Sequence, residues 1–399
     1  MHAHLLRLSA LTALLTAPSV IHATECFVPP STAVFGLQPE KYPPVNEIAS
    51  IGMENDPDLL RVYNDIDWTK VPSSPIKPVD LSTTSYDAGT DPDCWWTSTL
   101  CTQPKVAGLN PDVTICNKPG SWGLTFDDGP TCFSPELYGF LSEQKQKATF
   151  FMLGGQVLTY PVEAKGAFDE GHDVLSHTWS HHGLTTLTNL QVVAELYYSV
   201  KVIQEVTGVS VKYFRPPYGD IDNRVRAIAT QLGLTAVMWN DDTDDWKVNN
   251  NPDARTEVDA KFQAILDKAS EYNAKNAGPI VLEHDNDQGP IQIYKDWYAK
   301  IKKVYPKVMS VTECLGEGGY YEPVPSDDAG ATGTATTPET PTSTTSTVTV
   351  TTDSPSTTPT PNPESKAEEQ KSPARKNDVG SFAAVAAGFL GLVMFYNLW

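Results

Sequence analysis

The chain has 399 residues and carries 49 acidic against 29 basic side chains, a formal net charge of -20 at pH 7. That balance argues against nucleic acid or anionic lipid headgroups as partners, because phosphate binding needs clustered Lys and Arg. The length would allow two or three domains, but the composition shifts so sharply along it that only the middle has the texture of a packed enzyme.

Residues 1–23 (MHAHLLRLSALTALLTAPSVIHA) combine Arg7, an apolar stretch over 8–15 and small residues before a cut after Ala23, the pattern of a secretory signal peptide. Pro18 and the position at the start of the chain disfavour a buried helix there. Residues 24–115 form a proline-rich, irregular extension with one aromatic patch, Trp95 and Trp96. No chemistry is assigned to it. Its tryptophans are expected to pack beside a disulfide at Cys94 or Cys101 rather than to stand exposed as a sugar platform.

From residue 116 short apolar runs alternate with helical patterns. Strands are expected at WGLTF (122–126), ATFFML (148–153), HDVLSH (172–177), VKYFRP (211–216), TAVMWN (235–240), PIVLEH (279–284) and KVMSV (307–311). Between them, LQVVAELYYSVKVIQEVTG (190–208) has helical periodicity and a glycine where a C-cap belongs. Repeated strand-then-helix units imply an α/β fold with parallel pairing, either a barrel or a doubly wound sheet. Polar residues gather just after the C-terminal ends of the strands: Asp127 and Asp128, His177, residues 215–218, residues 241–246 and His284. In parallel α/β architectures that rim is where active sites are built.

Beyond the middle, residues 315–372 form a stalk whose Thr, Ser and Pro content, densest from 327, cannot bury enough apolar surface to fold and reads as O-glycosylated. Residues 373–399 follow as small residues, a polar spacer and a terminal apolar run, the pattern of a lipid-anchor (GPI) signal, with Ser372 as the expected attachment site and Asn377 the second choice. An 18-residue tail anchor is the competing reading of 382–399. Six cysteines, at 26, 94, 101, 116, 132 and 314, lie outside both targeting segments; an even number in a secreted chain implies disulfides, and no paired C-x-x-C units suggest a structural zinc site. A bridge between Cys116 and Cys314 would tie together the ends of the enzyme-like region.

Three of the eight histidines fall in the signal peptide, leaving His172, His177, His181, His182 and His284. In SHTWSHH, His177 and His181 are four apart, so a helical turn would place both imidazoles on one face. Two such nitrogens plus a carboxylate make the three-ligand arrangement, with an open position, that catalytic zinc uses. A surface loop in which neither binds anything is the alternative.

Five motifs occur in order over 116–314: TFDDG (125–129), HTWSH (177–181), RPPY (215–218), DTDDW (242–246) and LEH (282–284). In these the chain resembles the NodB-type polysaccharide deacetylases, carbohydrate esterase family four, and most closely the fungal chitin deacetylases. The resemblance implies a distorted parallel (β/α) barrel of about seven strands, flanked by the irregular extension and a disordered stalk. It implies Asp127 as general base; Asp128, His177 and His181 as ligands of zinc, with cobalt a further possibility; and His284 as the acid that protonates the leaving amine. It further implies that Arg215 holds Asp127, that Asp245 charges His284, that the backbone N–H of Tyr218 stabilises the oxyanion, and that Trp246 and Leu282 line a pocket for the acetyl methyl. Family members also close the domain with the bridge that here would join Cys116 to Cys314.

The chemistry needs these residue types. An acetamide is a poor electrophile with a poor leaving group, so its hydrolysis requires activated water, a charge sink and an acid. A carboxylate engaged with the metal cannot also take the proton, which accounts for two adjacent aspartates. The expected activity is removal of acetyl groups from chitin or chitin oligosaccharides, at the outer face of the plasma membrane and in the cell wall. Other acetylated wall polysaccharides, xylan or peptidoglycan, are the nearer alternative, and a non-catalytic wall-binding protein the more distant one. His172, His182, Asp241, Asp242 and Asp244 are expected to be structural or solvated, and Trp179 is left without a role.

Overall fold

A computed structural model of the chain describes residues 32–249 and 251–321. The expected signal peptide, Cys26, the part of the expected stalk from 322 onward and the anchor signal with Ser372 lie outside the described residues; residues 315–321, expected to begin the stalk, instead belong to the folded region, where Tyr320–Tyr321 pairs antiparallel with Ser210–Val211. Eleven strands follow in chain order: β1 (Ile115–Cys116), β2 (Ser121–Asp127), β3 (Thr149–Met152), β4 (Asp173–Ser176), β5 (Ser210–Val211), β6 (Tyr213–Phe214), β7 (Thr235–Ala236), β8 (Asp241–Asp242), β9 (Gly278–His284), β10 (Lys307–Met309) and β11 (Tyr320–Tyr321). The main sheet runs β1-β9-β2-β3-β4-β6-β7, with β10 also on β2 and β8 also on β9. Every pairing in it is parallel except β1 with β9. The sheet curls into a half-barrel with helices outside, the α/β architecture expected of the family.

Each long strand follows from its sequence. All seven residues of β2 and all seven of β9 are buried, which suits continuous apolar runs at the centre of a parallel sheet covered on both faces. The helix Asn189–Thr207 starts with a capping box between Thr188 and Gln191 and stops at Gly208, whose φ of 86° is left-handed. Other expected strands are shorter than their apolar runs. VKYFRP breaks at Lys212 because the chain changes partners there: β5 pairs antiparallel with β11, while β6 pairs with β4 and β7.

The extension is not a separate layer. Leu37, Tyr42, Ala49, Leu59 and Ile66 join the same core as the sheet. Tyr42 stacks on Trp179 at 5.7 Å between ring centroids, so Trp179 is a core residue. The Ala49 N–H donates to Glu195 at 2.9 Å, and Arg226 pairs with Asp112 at 2.7 Å with both side chains buried. Trp95 is buried beside the Cys94–Cys101 disulfide, as expected, but Trp96 is only partly covered.

Cys116 and Cys314 are bonded across a sequence separation of 198 residues, and Cys132 is disulfide-bonded as well. Among the described residues no cysteine is free, and no helix is long and apolar enough to cross a membrane. A cross-link closing so long a loop restricts the unfolded chain strongly. Replacing Cys116 and Cys314 together by Ser is expected to lower the unfolding free energy by about 3–5 kcal/mol, read from denaturant titration of the two proteins side by side.

Candidate active site

The register of the central ladder sets the first contact of the site. Asp127 at the end of β2 lies opposite His284 at the end of β9, and Thr125 lies opposite Leu282 two residues earlier. Opposed residues of a pleated ladder project to the same face, so these four side chains share one side of the sheet. Arg215, just beyond β6, is fully buried there and donates from Nη1 to Asp127 Oδ1 at 2.7 Å and to Thr125 Oγ1 at 2.8 Å. Its Nε donates to the Val237 carbonyl at 3.2 Å, and the guanidinium lies over the Phe151 ring at 4.2 Å. Burial lowers the pKa of Arg215, and the Asp127 charge opposes that shift.

Asp128 turns away from the ladder at a φ of 77°. In the next position Gly129 is required, since a Cβ there would stand 2.4 Å from the Asp285 carboxylate. Asp128 Oδ1 lies 3.4 Å from His177 Nε2 and 3.3 Å from His181 Nε2. The three donor atoms fall within 4.8 Å of one another. His177 Nδ1 sits 2.8 Å from the Arg215 carbonyl, an oxygen that can only accept, so Nδ1 carries the proton and Nε2 presents a lone pair. His181 Nδ1 lies 3.1 Å from the Tyr218 hydroxyl, a group that can donate or accept, and the contact holds the ring with Nε2 toward Asp128. Asp128 Oδ1 is buried without a hydrogen-bond partner. Two imidazole Nε2 atoms converging on an orphaned carboxylate oxygen are a donor set for a divalent cation, and the residues fit one. Burial alone would raise the Asp128 pKa, but His181, His177 and His284 outweigh it and hold the carboxyl well below its ordinary range.

The expectation of a helical turn for HTWSH is corrected. His177 follows β4 in irregular chain, and Thr178 and His181 adopt left-handed φ values of 68° and 62°. Two positive-φ residues fold the segment back on itself, so the imidazoles converge through a loop; their ring centroids are 5.0 Å apart.

On the other side of Asp127, His284 Nδ1 meets Asp245 Oδ1 at 2.6 Å, and the His284 backbone N–H donates to Asp245 Oδ2 at 2.9 Å. Burial disfavours the imidazolium, but the Asp245 charge and hydrogen bond, with Asp128 and Asp127 adding, push the His284 pKa up to about 10. A cation on Asp128 would oppose part of that rise through its own charge.

These groups open into a cavity of about 600 Å³ that Tyr218, Trp246 and Leu282 also line. Tyr218 and Trp246 are 56% and 48% exposed, whereas Leu282 is buried. Asp242 and Asp244 reach the cavity as well, although Asp244 is occupied by Lys247 and Lys261 at 3.2 and 3.0 Å. Asp241 accepts from Tyr272 at 2.6 Å, His172 Nδ1 accepts from the Ala148 N–H at 3.2 Å, and His182 bonds Ser180 at 2.8 Å, so these three are structural.

Sequence reasoning missed four residues of the site, Asn249, Asn286, Trp96 and Trp239. Asn286 donates to Asp128 Oδ2 at 3.0 Å and so orients that carboxylate. Trp96 and Trp239 line the cavity and touch each other, with ring centroids 5.0 Å apart. Asn286 lies two positions past LEH and could have been sought there; nothing local distinguishes Trp96 from its buried neighbour.

Residues 114–237 match the polysaccharide deacetylase family model. The chain is 42% identical over 309 residues to a chitin deacetylase of Amylomyces rouxii, a match covering 74% of this chain and 71% of that protein. It is 40% identical over 277 residues to chitin deacetylase 2 of Cryptococcus neoformans var. grubii, covering 68% of this chain and 60% of the relative. A chitin deacetylase structure from Colletotrichum lindemuthianum superposes with a TM-score of 0.49 at 26% identity, over 54% of this chain and 97% of that one.

The hydrogen bond from Asn286 to Asp128 leads to a prediction about metal affinity. Asn286→Ala is expected to weaken binding of a divalent cation by about tenfold or more, measured by competition with a chromophoric chelator, while leaving the circular dichroism spectrum unchanged.

Proposed function

Because the chain belongs to the polysaccharide deacetylase family, we propose that it hydrolyses the N-acetyl groups of N-acetylglucosamine units in chitin, yielding chitosan and acetate. The observation that carries this reading is the pairing of Asp127 with His284 across one ladder, beside the donors Asp128, His177 and His181. A protein that only bound a wall glycan would need neither a carboxylate held by a buried arginine nor an imidazole charged by a buried aspartate.

The bound cation is taken to be zinc, which suits two imidazoles, one carboxylate and an open position, with cobalt as an alternative. When bound to Asp128, His177 and His181 it supplies Lewis acidity, polarising the acetyl carbonyl and acidifying water. Asp127 accepts the proton from the attacking water. Arg215 holds that carboxylate in place through its own hydrogen bond, since its guanidinium is fixed by Thr125 and the Val237 carbonyl. As the carbonyl carbon becomes tetrahedral, the backbone N–H of Tyr218 offers a hydrogen bond to the developing oxyanion. His284 delivers a proton to the leaving amine, and Asp245 stabilises the imidazolium until it does. Trp246 and Leu282 bound the space for the acetyl methyl and select against longer acyl groups by size.

Secretion and display on the outer face of the plasma membrane and in the cell wall, through a lipid anchor at Ser372, complete the proposal. The two disulfides Cys94–Cys101 and Cys116–Cys314 support an oxidising compartment.

Acetate release from chitin oligosaccharides, O-acetylated xylan and peptidoglycan, assayed in parallel, tests the substrate. Activity on chitin that is lost with chelator, regained with zinc and reduced by about a thousandfold or more in Asp127→Asn is the expected result. Acetate from xylan or peptidoglycan alone would replace the chitin reading. The acid is tested by pH. Activity is retained while His284 is protonated and falls as pH rises through its pKa, so removing the Asp245 charge moves that fall to lower pH. In Asp245→Asn the alkaline limb of kcat/KM is expected to shift down by about one pH unit or more, with kcat reduced throughout.

A further inference from the structure

The cavity has a contributor from outside the segment that matches the family model. Trp96 belongs to the irregular extension, upstream of residue 114, yet it lines the cavity together with Trp239, Tyr218 and Trp246. We propose that Trp96 is a substrate-binding residue whose ring stacks on a sugar of the polysaccharide chain next to the reacting unit. The proposal rests on the reading of the site as a glycan deacetylase and adds to it a residue that selects extended chains.

The placement of Trp96 is heavily determined. Its backbone N–H donates to the Ile221 carbonyl at 3.0 Å. The neighbouring Trp95 is buried and donates from its indole to Asp220 Oδ1 at 2.8 Å, an oxygen that Thr97 also reaches at 2.8 Å. Asp220 is itself buried and takes the Thr185 backbone N–H at 2.8 Å. The Cys94–Cys101 bridge closes the loop over a separation of seven residues, with Cys94 and Leu100 in left-handed conformations at φ values of 49° and 55°.

Gly219 completes the seat. A Cβ on it would lie 2.3 Å from the Trp96 ring, so the backbone immediately after Tyr218 runs in contact with the indole. The bridge, the buried aspartate and the glycine together hold one indole against the loop that carries Tyr218.

Core packing alone does not account for this arrangement. Trp95, Trp122 and Trp179 are fully buried, whereas Trp96 stays partly exposed at the cavity. The cavity is lined both by the polar groups Asp127, Asp128, His177, His181, His284 and Asp242 and by the aromatic side chains of Trp96, Trp239, Tyr218 and Trp246. A pyranose in a β-linked glycan presents C–H groups on its faces, a surface that suits the face of an aromatic ring. A small acetyl compound has no second sugar to place there, so Trp96 should affect binding of chains and not the chemical step.

The test compares Trp96→Phe and Trp96→Leu with the wild-type secreted, metal-loaded protein. Both variants keep an apolar side chain against Gly219, and only Phe keeps an aromatic face. With chitin tetramer as substrate, Trp96→Leu is expected to raise KM by about tenfold with kcat within a factor of about two, and Trp96→Phe to recover most of the loss. Hydrolysis of p-nitrophenyl acetate should be unchanged in both. An unchanged KM for the tetramer in Trp96→Leu overturns the proposal. So does an equal loss in Phe and Leu, or a parallel loss on the small ester, because each marks a structural role. A wild-type enzyme inactive on the tetramer but active on another acetylated glycan overturns the chitin reading alone, and the same KM comparison on that glycan then decides the role of Trp96.

Discussion

The site depends on a charge that the fold cannot leave unpaired. Arg215 is completely buried, and an isolated guanidinium there would be prohibitively costly, so the surrounding chain is arranged to meet it. Its side chain joins the end of β2, through Thr125 and Asp127, to the chain just after β7, through the Val237 carbonyl. Its own carbonyl meets His177 Nδ1 and so decides which nitrogen of that imidazole faces Asp128. One residue therefore links the proposed base to a proposed metal ligand. Breaking such a buried pair by removing one partner typically costs about 3–5 kcal/mol.

Around that pair the backbone is bent where chemistry is needed. Asp128, Thr178, His181 and Tyr218 all hold positive φ without being glycine, each at a cost of about 1–3 kcal/mol. A left-handed residue breaks the strict face-to-face alternation of a strand, so the adjacent side chains of Asp127 and Asp128 can both line one cavity. Asp127 remains in the ladder while Asp128 leaves it, and His177 and His181 converge from a loop. The aromatic core and the long disulfide supply the stability that tolerates these distortions.

Much of this was legible in local sequence. WGLTF and PIVLEH read as buried strands because a central parallel strand must be apolar on both faces, and the helix over 190–208 carried its period and its stop signal. The polar residues after each strand end were visible because parallel topology gathers them at one rim. The HTWSH segment showed the limit of periodicity: a spacing of four is shared by a helical turn and by a loop with two left-handed residues, and only the surrounding chain separates them. Trp96 was illegible for a related reason, and Asn286, although it closely follows LEH, gains its role only from a distant partner. Trp96 is placed by Asp220, Ile221 and Gly219, more than a hundred positions away, and Asn286 by Asp128 at a separation of 158 residues. Trp95 and Trp96 are adjacent and identical, yet one is core and the other borders a cavity.

The opposition of Asp127 and His284 has a consequence for how such a protein can change. Neighbouring strands in any sheet lie roughly 4.8 Å apart, so the gap between the two groups is set by a backbone spacing common to every sheet. Insertions or deletions in the loops over the rim can reshape the surface that grips a polymer without stretching or closing that gap. Recognition and reaction thus occupy parts of the chain that can drift separately, and a new glycan can be accommodated by exchanging loops while the ruler between the two strands stays the same length.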